Sequence, residues 1–424
     1  MSVSYQERRA RRLSQDTLVE HPFSSLDGSH LENPFYVDLM NTAPIQRLKK
    51  ISQLSFLYDK SPGDRYKSPF FHNRFTHTVA VAALMEQVLK DNGFSEADMA
   101  IGVAAAFLHD AAMPAYGDTI KLLDPQALDE ETHWQDVVNA KVRSLLKAHD
   151  VPLERIDEIV KNKGVMGKLL DITDRIAYVS KDFHATSLES FGQRFNTLPR
   201  PSLKSMNEAT GEEKEWLLFY YQFVERMGEL YKHVKVDKQS GQVFFTDSTK
   251  LGVFLYFRAL LHKHMYLHPH NVGKDAVVVS ILSSFYTRET DVFPSTDPSL
   301  LTPQKLRKMT DFDLRDLILD HGSQSQKRMY AMSAIDSWTP ECERFDNIEE
   351  ATLREQELLR DESLRVVGKR AIRGFKTGVD YLVKTPDGII PYRDVHKNIS
   401  RIIQEEEEAT HGTYLFYVKK NSLE

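Results

Sequence analysis

The feature of this sequence that most restricts its fold is the stretch at residues 100–118, AIGVAAAFLHDAAMPAYGD. Its first half is apolar almost all round, which is typical of a helix buried inside a larger helical bundle. A histidine and an aspartate follow side by side, and both are costly to bury unless a partner compensates them. His109 and Asp110 offer one nitrogen and one oxygen donor, a mixed set that suits a first-row transition metal.

An isolated His-Asp pair also has a simpler explanation, because short motifs match by chance. Asp110 would then be solvated at a helix end, and His109 would be a hydrogen-bonded core histidine. The metal interpretation therefore depends on partners elsewhere. His77 in HNRFTHTVAVAALM and Asp174 in LLDITDRIAY complete a set of two imidazoles and two carboxylates from three helices. Such a set leaves coordination positions open for water and substrate, as a catalytic metal requires.

Composition narrows the class of protein. The 424 residues are 41% hydrophobic and 27% charged, which is ordinary for a globular chain of one large or several smaller domains. The net charge of −6 argues weakly against bulk nucleic-acid binding, although a local basic patch stays open. The single cysteine, Cys342, fits a reducing compartment. Residues 1–15 lack the apolar core of a signal peptide, and no stretch suits a membrane span, so we expect a cytoplasmic protein.

Periodicity predicts a mostly α fold with a small C-terminal α+β lobe. Apolar residues at three-residue steps from Ile45 to Leu57 predict a helix after Pro44. Further helices are predicted over residues 73–93, 95–109, 133–148, 152–164, 165–183, 212–232, 251–266 and 275–286, with a loop over 111–131. Strand-turn-strand character around Asp387 and a final strand, TYLFYVKK, mark the lobe. The predicted organisation is an arm at 1–33, a helical core at 34–364 and the lobe at 365–424.

The motifs RFTH, LHD and DRIAY, in this order, resemble the H…HD…D signature of the HD-domain phosphohydrolase superfamily. A longer series resembles the dNTP triphosphohydrolases, which include the bacterial dGTP triphosphohydrolases and the mammalian SAM- and HD-domain enzyme. The series covers roughly residues 35–290 and reads NTAPIQRLKKISQL, HNRFTH, HD, ETHWQ, DRIAYVSKD and FRALLHKHMYLH. The resemblance implies an HD-domain helical bundle that hydrolyses a dNTP to a deoxynucleoside and triphosphate. It also implies a homo-oligomer and raises the question of an allosteric nucleotide.

The resemblance also implies a metal centre and its catalytic neighbours. The metal ligands would be His77, His109, Asp110 and Asp174. They would hold a divalent transition metal, Mn, Fe, Zn or Ni, with Mg²⁺ accompanying the nucleotide as a further option. Arg74, one turn before His77, would grip a phosphate beside the metal. His133 would be a catalytic histidine near the scissile bond.

Substrate contacts are implied in the same way. The residues concerned are Gln53, Arg74, Arg175, Tyr178, Asp182, Arg258, His262 and Tyr266. Gln53 matches a contact at the sugar edge, and Arg175 stands where the family keeps a basic phosphate contact or an acid. Tyr178 and Asp182 share a helix face with the metal ligand on that helix and match the pair that holds the sugar 3′-hydroxyl. Arg258 and His262 would hold the outer phosphates. Tyr266 would lie against the sugar and exclude a 2′-hydroxyl.

Two positions depart from the family pattern. Met113 and Asp118 stand where the dNTP triphosphohydrolases usually have histidines after HD. Methionine cannot donate a hydrogen bond or transfer a proton. Asp118 can act as acid, base or water-positioning group if its pKa is tuned, so it joins His133 and Arg74 as a catalytic candidate. Leu267 replaces a polar residue that the mammalian enzyme places near the base.

Two other functions remain open at this point. One is an HD-domain nucleotidase that acts on a monophosphate or a signalling nucleotide, which needs the metal and Arg74 but no grip on outer phosphates. The other is a catalytically weakened module that binds nucleotide or nucleic acid. Met113 slightly favours the weakened module, and the complete metal set opposes it. Base preference, native metal and allosteric activation are not determined by the sequence.

Overall fold

The computed structural model describes residues 31–54, 73–189, 230–288, 299–333, 338 and 340–420. Most of the predicted arm and most of the helix predicted over 212–232 therefore lie outside the described residues. Within the described ranges, no helix has both the length and the apolar character that a bilayer crossing requires.

Helices make up most of the described chain. The first are α1 Pro34–Met40, α2 Ala43–Arg47, α3 Arg74–Asp91, α4 Glu96–Leu108, α5 Asp118–Lys121 and α6 Glu130–His133. They are followed by α7 Ala140–Ala148, α8 Leu153–Val160, α9 Gly164–Glu189, α10 Ser248–Leu261 and α11 Pro269–Leu282. The last are α12 Pro303–Leu306, α13 Asp311–His321, α14 Gln324–Ser333, α15 Ile348–Leu358, α16 Tyr392–Val395 and α17 Lys397–Glu408. Short 3₁₀ segments at Leu48–Lys50, Trp134–Val137 and Tyr231–His233 and a π-helical turn at His262–Tyr266 complete the set.

Helices α3 and α4 form as the sequence predicts. Asn73 caps α3 in a capping box with Thr76, and Ser95 caps α4 with Glu96 and Asp98 in its first turn. The second half of α4, from Gly102 to Leu108, is buried all round. It packs against α3, α8 and α9, so its end lies deep in the main hydrophobic core.

Two local predictions are wrong in detail. The helix after Pro44 ends at Lys50, because the Ile51 carbonyl accepts a hydrogen bond from the Arg74 backbone N–H at 2.9 Å. Ile51 is nevertheless fully buried, so the three-residue spacing identified buried positions beyond the helix end. The predicted loop over 111–131 contains α5 and the start of α6, which Asp129 caps through its side chain.

Two small sheets are formed by seven strands in the part of the chain that the structure describes. They are β1 Val234–Asp237, β2 Gln242–Phe245, β3 Glu341–Phe345, β4 Leu364–Ile372, β5 Leu382–Thr385, β6 Gly388–Pro391 and β7 Gly412–Lys419. One sheet has the order β1-β2-β5-β6, with β2 and β5 parallel, and the other has the antiparallel order β3-β7-β4. The hairpin predicted around Asp387 is the β5–β6 pair. The mostly α fold with a small strand-containing C-terminal region is therefore confirmed, and β2 ties that region to the middle of the chain.

Candidate metal centre

Three side chains from three helices meet at the end of α4. His77 on α3, His109 just after α4 and Asp174 on α9 place their ligand atoms within 4.8 Å of one another. His77 Nε2 lies 2.9 Å from Asp174 Oδ1, and His109 Nε2 lies 3.7 Å from the same oxygen. Both histidines are buried, whereas the Asp174 side chain is 32% exposed, so the cluster is reached by solvent from the Asp174 side. It can hold a metal ion.

Asp110 lies against the same cluster. Its Oδ1 is 3.7 Å from His109 Nε2, and its Oδ2 is 3.8 Å from His77 Nε2. Burial would raise the pKa of Asp110, but the cationic side chains around it, first His109 and then Arg74, lower the pKa. The buried carboxylate is therefore ionised and available as a fourth ligand.

The chemistry of the donor set fits a divalent cation. His109 Nδ1 lies 2.6 Å from the Ala106 carbonyl, which leaves Nε2 directed at the cluster. Among the described residues, no hydrogen-bond partner reaches that buried Nε2. Burial alone would lower the pKa of His109, but the carboxylates of Asp110 and Asp174 outweigh this effect and raise the pKa to about 9. The same negative potential would favour a metal ion, which takes the place of the ring proton.

Arg74 connects the cluster to the turn that follows it. The guanidinium is buried and lies 3.3 Å from Asp110 Oδ2 and 2.7 Å from Asp118 Oδ2. Burial would lower the pKa of Arg74, but these carboxylates raise it above its usual value. A permanently charged guanidinium therefore lies at the edge of the candidate metal site, where a phosphate would need one.

The turn before Asp118 is strained. Tyr116 has φ 57° and Gly117 has φ 51°, so two successive residues adopt left-handed backbone conformations. Asp311 on α13 stabilises the turn, because its Oδ1 accepts a hydrogen bond from the Tyr116 N–H at 2.7 Å. Its Oδ2 accepts one from the Ser52 N–H, also at 2.7 Å. Backbone strain maintained by surrounding contacts is a recurring property of functional sites.

Arg47 accounts for the position of Met113. The Arg47 guanidinium donates hydrogen bonds to the carbonyls of Ala111, at 3.1 Å, and Met113, at 2.6 Å. The Met113 side chain is buried in a small apolar cluster with Leu48 and Ile51. The methionine at this departure from the family pattern is thus a core residue.

Lys121 and Glu130 belong to the site but were missed by the sequence analysis. Lys121 Nζ lies 2.9 Å from Asp118 Oδ1 and 2.5 Å from Glu130. Burial raises the pKa of Glu130 to about 7, whereas the neighbouring cations Lys121 and Arg74 lower the pKa of Asp118, whose side chain is exposed. An ionised Asp118 orients Arg74, and the raised pKa of Glu130 brings protonation of this carboxyl closer to neutral pH. The sequence feature that could have indicated the contact between Asp118 and Lys121 is their spacing of three residues.

His133 and Gln53 lie at the margin of this arrangement. His133 Nδ1 lies 3.3 Å from Asp136 Oδ2, and Asp136 also pairs with Arg307. The described contacts of His133 are thus with Asp136 and not with the metal cluster. Gln53 is buried, and its Oε1 has no hydrogen-bond partner within the described ranges. The roles of both residues stay predictions.

A second cluster of candidate residues lies along the face of α9 that also carries Asp174. Arg258 Nε donates a hydrogen bond to the Tyr178 hydroxyl at 2.6 Å, and the Tyr266 hydroxyl donates one to Asp182 Oδ2 at 2.5 Å. The two tyrosine rings meet edge to face, with centroids 6.2 Å apart. Because Asp174 and Tyr178 are one turn apart on α9, this cluster adjoins the metal centre.

The C-terminal region covers the remaining members of that cluster. The ring of His262 stacks on Phe375 with centroids 4.5 Å apart and planes 7° apart. Arg175 pairs with Asp171 at 2.6 Å and lies over the Tyr381 ring at 5.8 Å. No motif marks Phe375 or Tyr381 in the sequence, and both are remote along the chain from the helices they contact.

Comparisons with known proteins identify the type of domain and the fold. Residues 74–186 match the HD domain family, so the chain carries an HD domain, and the four candidate ligands and Arg74 lie inside the match. No curated protein sequence matches the chain. A crystal structure of a hypothetical protein from Aquifex aeolicus has a TM-score of 0.61 at 16% identity, covering 91% of this chain and 93% of the other. A phosphohydrolase from Bacteroides thetaiotaomicron has a TM-score of 0.60 at 15% identity, covering 90% and 95%. The family match identifies the HD domain, the two crystal structures share the overall fold, and the finer resemblance to dNTP triphosphohydrolases stays a prediction.

Proposed function

We propose that this protein is a metal-dependent phosphohydrolase whose substrate is a dNTP, cleaved to a deoxynucleoside and triphosphate. The observation that carries the proposal is the cluster of His77, His109 and Asp174, whose two histidines are buried, with the guanidinium of Arg74 beside it. The description of the Bacteroides thetaiotaomicron structure as a phosphohydrolase supports the reaction class.

The residues would divide the work as follows. A bound divalent metal would supply Lewis acidity toward a phosphoryl oxygen and lower the pKa of a bound water. Arg74 would neutralise phosphate charge, and it is already oriented by Asp110 and Asp118, so little reorganisation is needed during the reaction. Lys121 holds Asp118 from its other side.

The dNTP assignment rests on the second cluster. Tyr266 would lie against the sugar and exclude a 2′-hydroxyl, and its anchoring on Asp182 supports a fixed ring position. Tyr178 and Asp182 would contact the 3′-hydroxyl, with Gln53 at the sugar edge. Arg258, Arg175 and His262 would serve the phosphates.

A second candidate function is hydrolysis of a monophosphate or a signalling nucleotide. One specific observation favours it: Arg258 already donates hydrogen bonds to Tyr178 and to the Lys376 carbonyl, and Phe375 covers His262. A substrate with a single phosphate would use the metal centre and Arg74 without these outer residues.

Product analysis distinguishes the functions. The full chain is incubated with Mn²⁺, Fe²⁺, Zn²⁺ or Ni²⁺ and with each dNTP, rNTP and dNMP, and products are separated by chromatography. Deoxynucleoside plus triphosphate supports the first proposal, and orthophosphate from a monophosphate supports the second. Absence of hydrolysis with every metal, alongside nucleotide binding, would favour the weakened binding module. Asp110→Ala serves as the control for contaminating phosphatases.

We also propose that the protein is cytoplasmic, on the basis of its single cysteine, and that it is a homo-oligomer, on the basis of the family resemblance. Light scattering at micromolar concentration, with and without nucleotide, tests the assembly and any dependence on an allosteric nucleotide. A monomer under both conditions would contradict it.

A further inference from the structure

The chain between β4 and β5 lies across the second cluster. Residues 373–381, here called the C-terminal strap, contain no helix or strand. The Lys376 carbonyl accepts a hydrogen bond from Arg258 Nη1, and Phe375 stacks on His262. The strap ends at Tyr381, whose ring lies under Arg175. One short segment thus contacts three candidate phosphate-binding side chains at once.

Arg258 is a buried cation with neutral partners. Only 5% of the residue is exposed, and its hydrogen bonds go to a phenol oxygen and a peptide carbonyl. In the described part of the chain, no carboxylate makes an ion pair with it, whereas its neighbour Arg175 has Asp171. A buried guanidinium without a counter-ion is unfavourable, so an anion would be stabilised at this position. The face of α9 that carries Asp174 and Tyr178 places this position beside the metal centre.

Left-handed glycines bound the central part of the strap. Gly374 and Gly378 have φ of 81° and 77°, and three residues lie between them. Phe375 is half-buried and also lies 5.9 Å from the Arg258 guanidinium, so it is the aromatic side chain that fixes this central part over Arg258.

The far end of the strap is fixed separately, because Val379 is 2% exposed and belongs to the main hydrophobic core. Arg373 and Lys376 are exposed. Loss of the Phe375 contact would therefore free the central part of the strap from Arg258, while Val379 keeps the far end in place.

We infer that the C-terminal strap competes with the outer part of a phosphate chain for Arg258, and that Phe375 thereby sets the length of phosphate chain the site accepts. A triphosphate displaces the Lys376 carbonyl from the guanidinium and opens the strap. A single phosphate at the metal centre leaves the strap closed. This inference rests on the proposed function, since it assumes that the metal centre binds phosphate esters.

Binding measurements on the full chain test the inference without any turnover. Inorganic triphosphate and orthophosphate are titrated into the wild type and into Phe375→Ala by calorimetry. An aromatic contact of this kind corresponds to roughly two- to tenfold in affinity, so triphosphate should bind tighter to the variant by that factor. Orthophosphate affinity should stay the same. Phe312→Ala is the matched control, because Phe312 lies 5.3 Å under the Arg315 guanidinium in a pair outside the site.

Limited proteolysis of the wild type gives a second readout. Trypsin cuts after Arg373 and Lys376, and mass spectrometry identifies the cut. Triphosphate should accelerate these cuts, because the strap opens, and orthophosphate should not. Slower cleavage with triphosphate, or a triphosphate affinity unchanged or weakened in a folded Phe375→Ala, would overturn the inference. If that variant does not fold, the wild-type proteolysis decides.

The two proposals fail separately. A chain whose strap opens for triphosphate but which hydrolyses no phosphate ester contradicts the proposed function alone. A chain that hydrolyses phosphate esters while Phe375→Ala binds triphosphate as the wild type does contradicts the strap alone.

Discussion

The Arg74 guanidinium lies 2.7 Å from the carboxylate of Asp118, at the far end of the strained turn that follows the HD motif. The same guanidinium reaches Asp110, so one cation joins the candidate metal centre to the point where this sequence departs from the family pattern. Asp118 stands where the resemblance to the dNTP triphosphohydrolases implies a histidine, and its lowered pKa makes it an orienting anion. Transfer of a proton during the reaction would therefore be carried out by a group other than Asp118.

Replacing Asp118 with Asn should lower kcat while leaving the metal content unchanged. The amide cannot hold the guanidinium by charge, so Arg74 loses its fixed direction toward the phosphate. Misplaced electrostatic groups cost about 10- to 100-fold in rate. Steady-state kinetics and elemental analysis measure both quantities. Asp316→Asn, an exposed carboxylate on α13, is the control, and an unchanged kcat in Asp118→Asn would remove the orienting role.

His133→Ala tests the other catalytic candidate. General acid–base groups contribute about 10²- to 10⁴-fold in rate, so a catalytic His133 should show a loss in that range with metal retained. The contact of His133 with Asp136 predicts instead a local structural role. A loss below about tenfold in both His133→Ala and Asp118→Asn is too small for acid–base catalysis. That result would favour the weakened binding module.

Metal content should depend on the buried donors. His109→Ala removes the Nε2 that is directed at the cluster, and Asp174→Asn weakens the oxygen that both histidines approach. Each variant should lose most of the metal found in the wild type after purification, as measured by elemental analysis. His133→Ala should keep the wild-type amount. Equal metal in His109→Ala and the wild type would contradict the assignment of this cluster.

Sequence patterns predicted the parts of the fold that local chemistry determines. Capping residues and apolar spacing predicted the positions of α3 and α4. The predicted helices also indicated that His77, His109, Asp110 and Asp174 come from three different helices. The helix after Pro44 was predicted too long. Its end depends on the hydrogen bond from the Arg74 backbone N–H to the Ile51 carbonyl, and Arg74 is distant in the sequence.

The parts that could not be predicted depend on long-range contacts. Asp311 accepts hydrogen bonds from the backbone N–H groups of Ser52 and Tyr116, which are both far away along the chain. Nothing in the sequence of α13 indicates these two contacts. The C-terminal strap could not be predicted for the same reason. Phe375 and the glycines on either side of it form no sequence motif that relates them to Arg258. Such contacts become visible only when the tertiary structure brings the elements together.

Asp311→Asn should destabilise the protein. The carboxylate accepts two backbone hydrogen bonds in a buried position, and an amide can accept with only one of its two atoms. Leaving one buried N–H without its partner costs about 1–3 kcal/mol. Urea unfolding should show that loss, whereas Asp316→Asn at the surface should stay within about 0.5 kcal/mol of the wild type. Equal midpoints for both variants would mean that the turn is held by other contacts.

The last prediction concerns Asp275 on α11, directly beneath α5. Its Oδ1 accepts a hydrogen bond from Thr119 at 2.6 Å, and Arg370 lies 3.6 Å from Oδ2. Burial nevertheless raises the pKa of Asp275 to about 6. An unfolded aspartate has a pKa of about 3.9, so between these values the folded state binds the additional proton. This group's contribution to the free energy of unfolding therefore falls as the pH rises from about 4 to about 6 and stays low above that range.

Asp275→Asn should remove that dependence. The side-chain carbonyl of Asn can still accept from Thr119, and no charge is buried at neutral pH. Two pKa units correspond to about 2–3 kcal/mol, and this shift already includes the attraction to Arg370, so we expect a gain of up to about 2–3 kcal/mol at pH 7. At pH 4 the variant and the wild type should be nearly equal. Urea unfolding at several pH values between 4 and 8 measures the difference, with Asp316→Asn as the surface control. A variant that is less stable than the wild type at pH 7, and more so than at pH 4, would show that the Arg370 pair outweighs the burial of the charge.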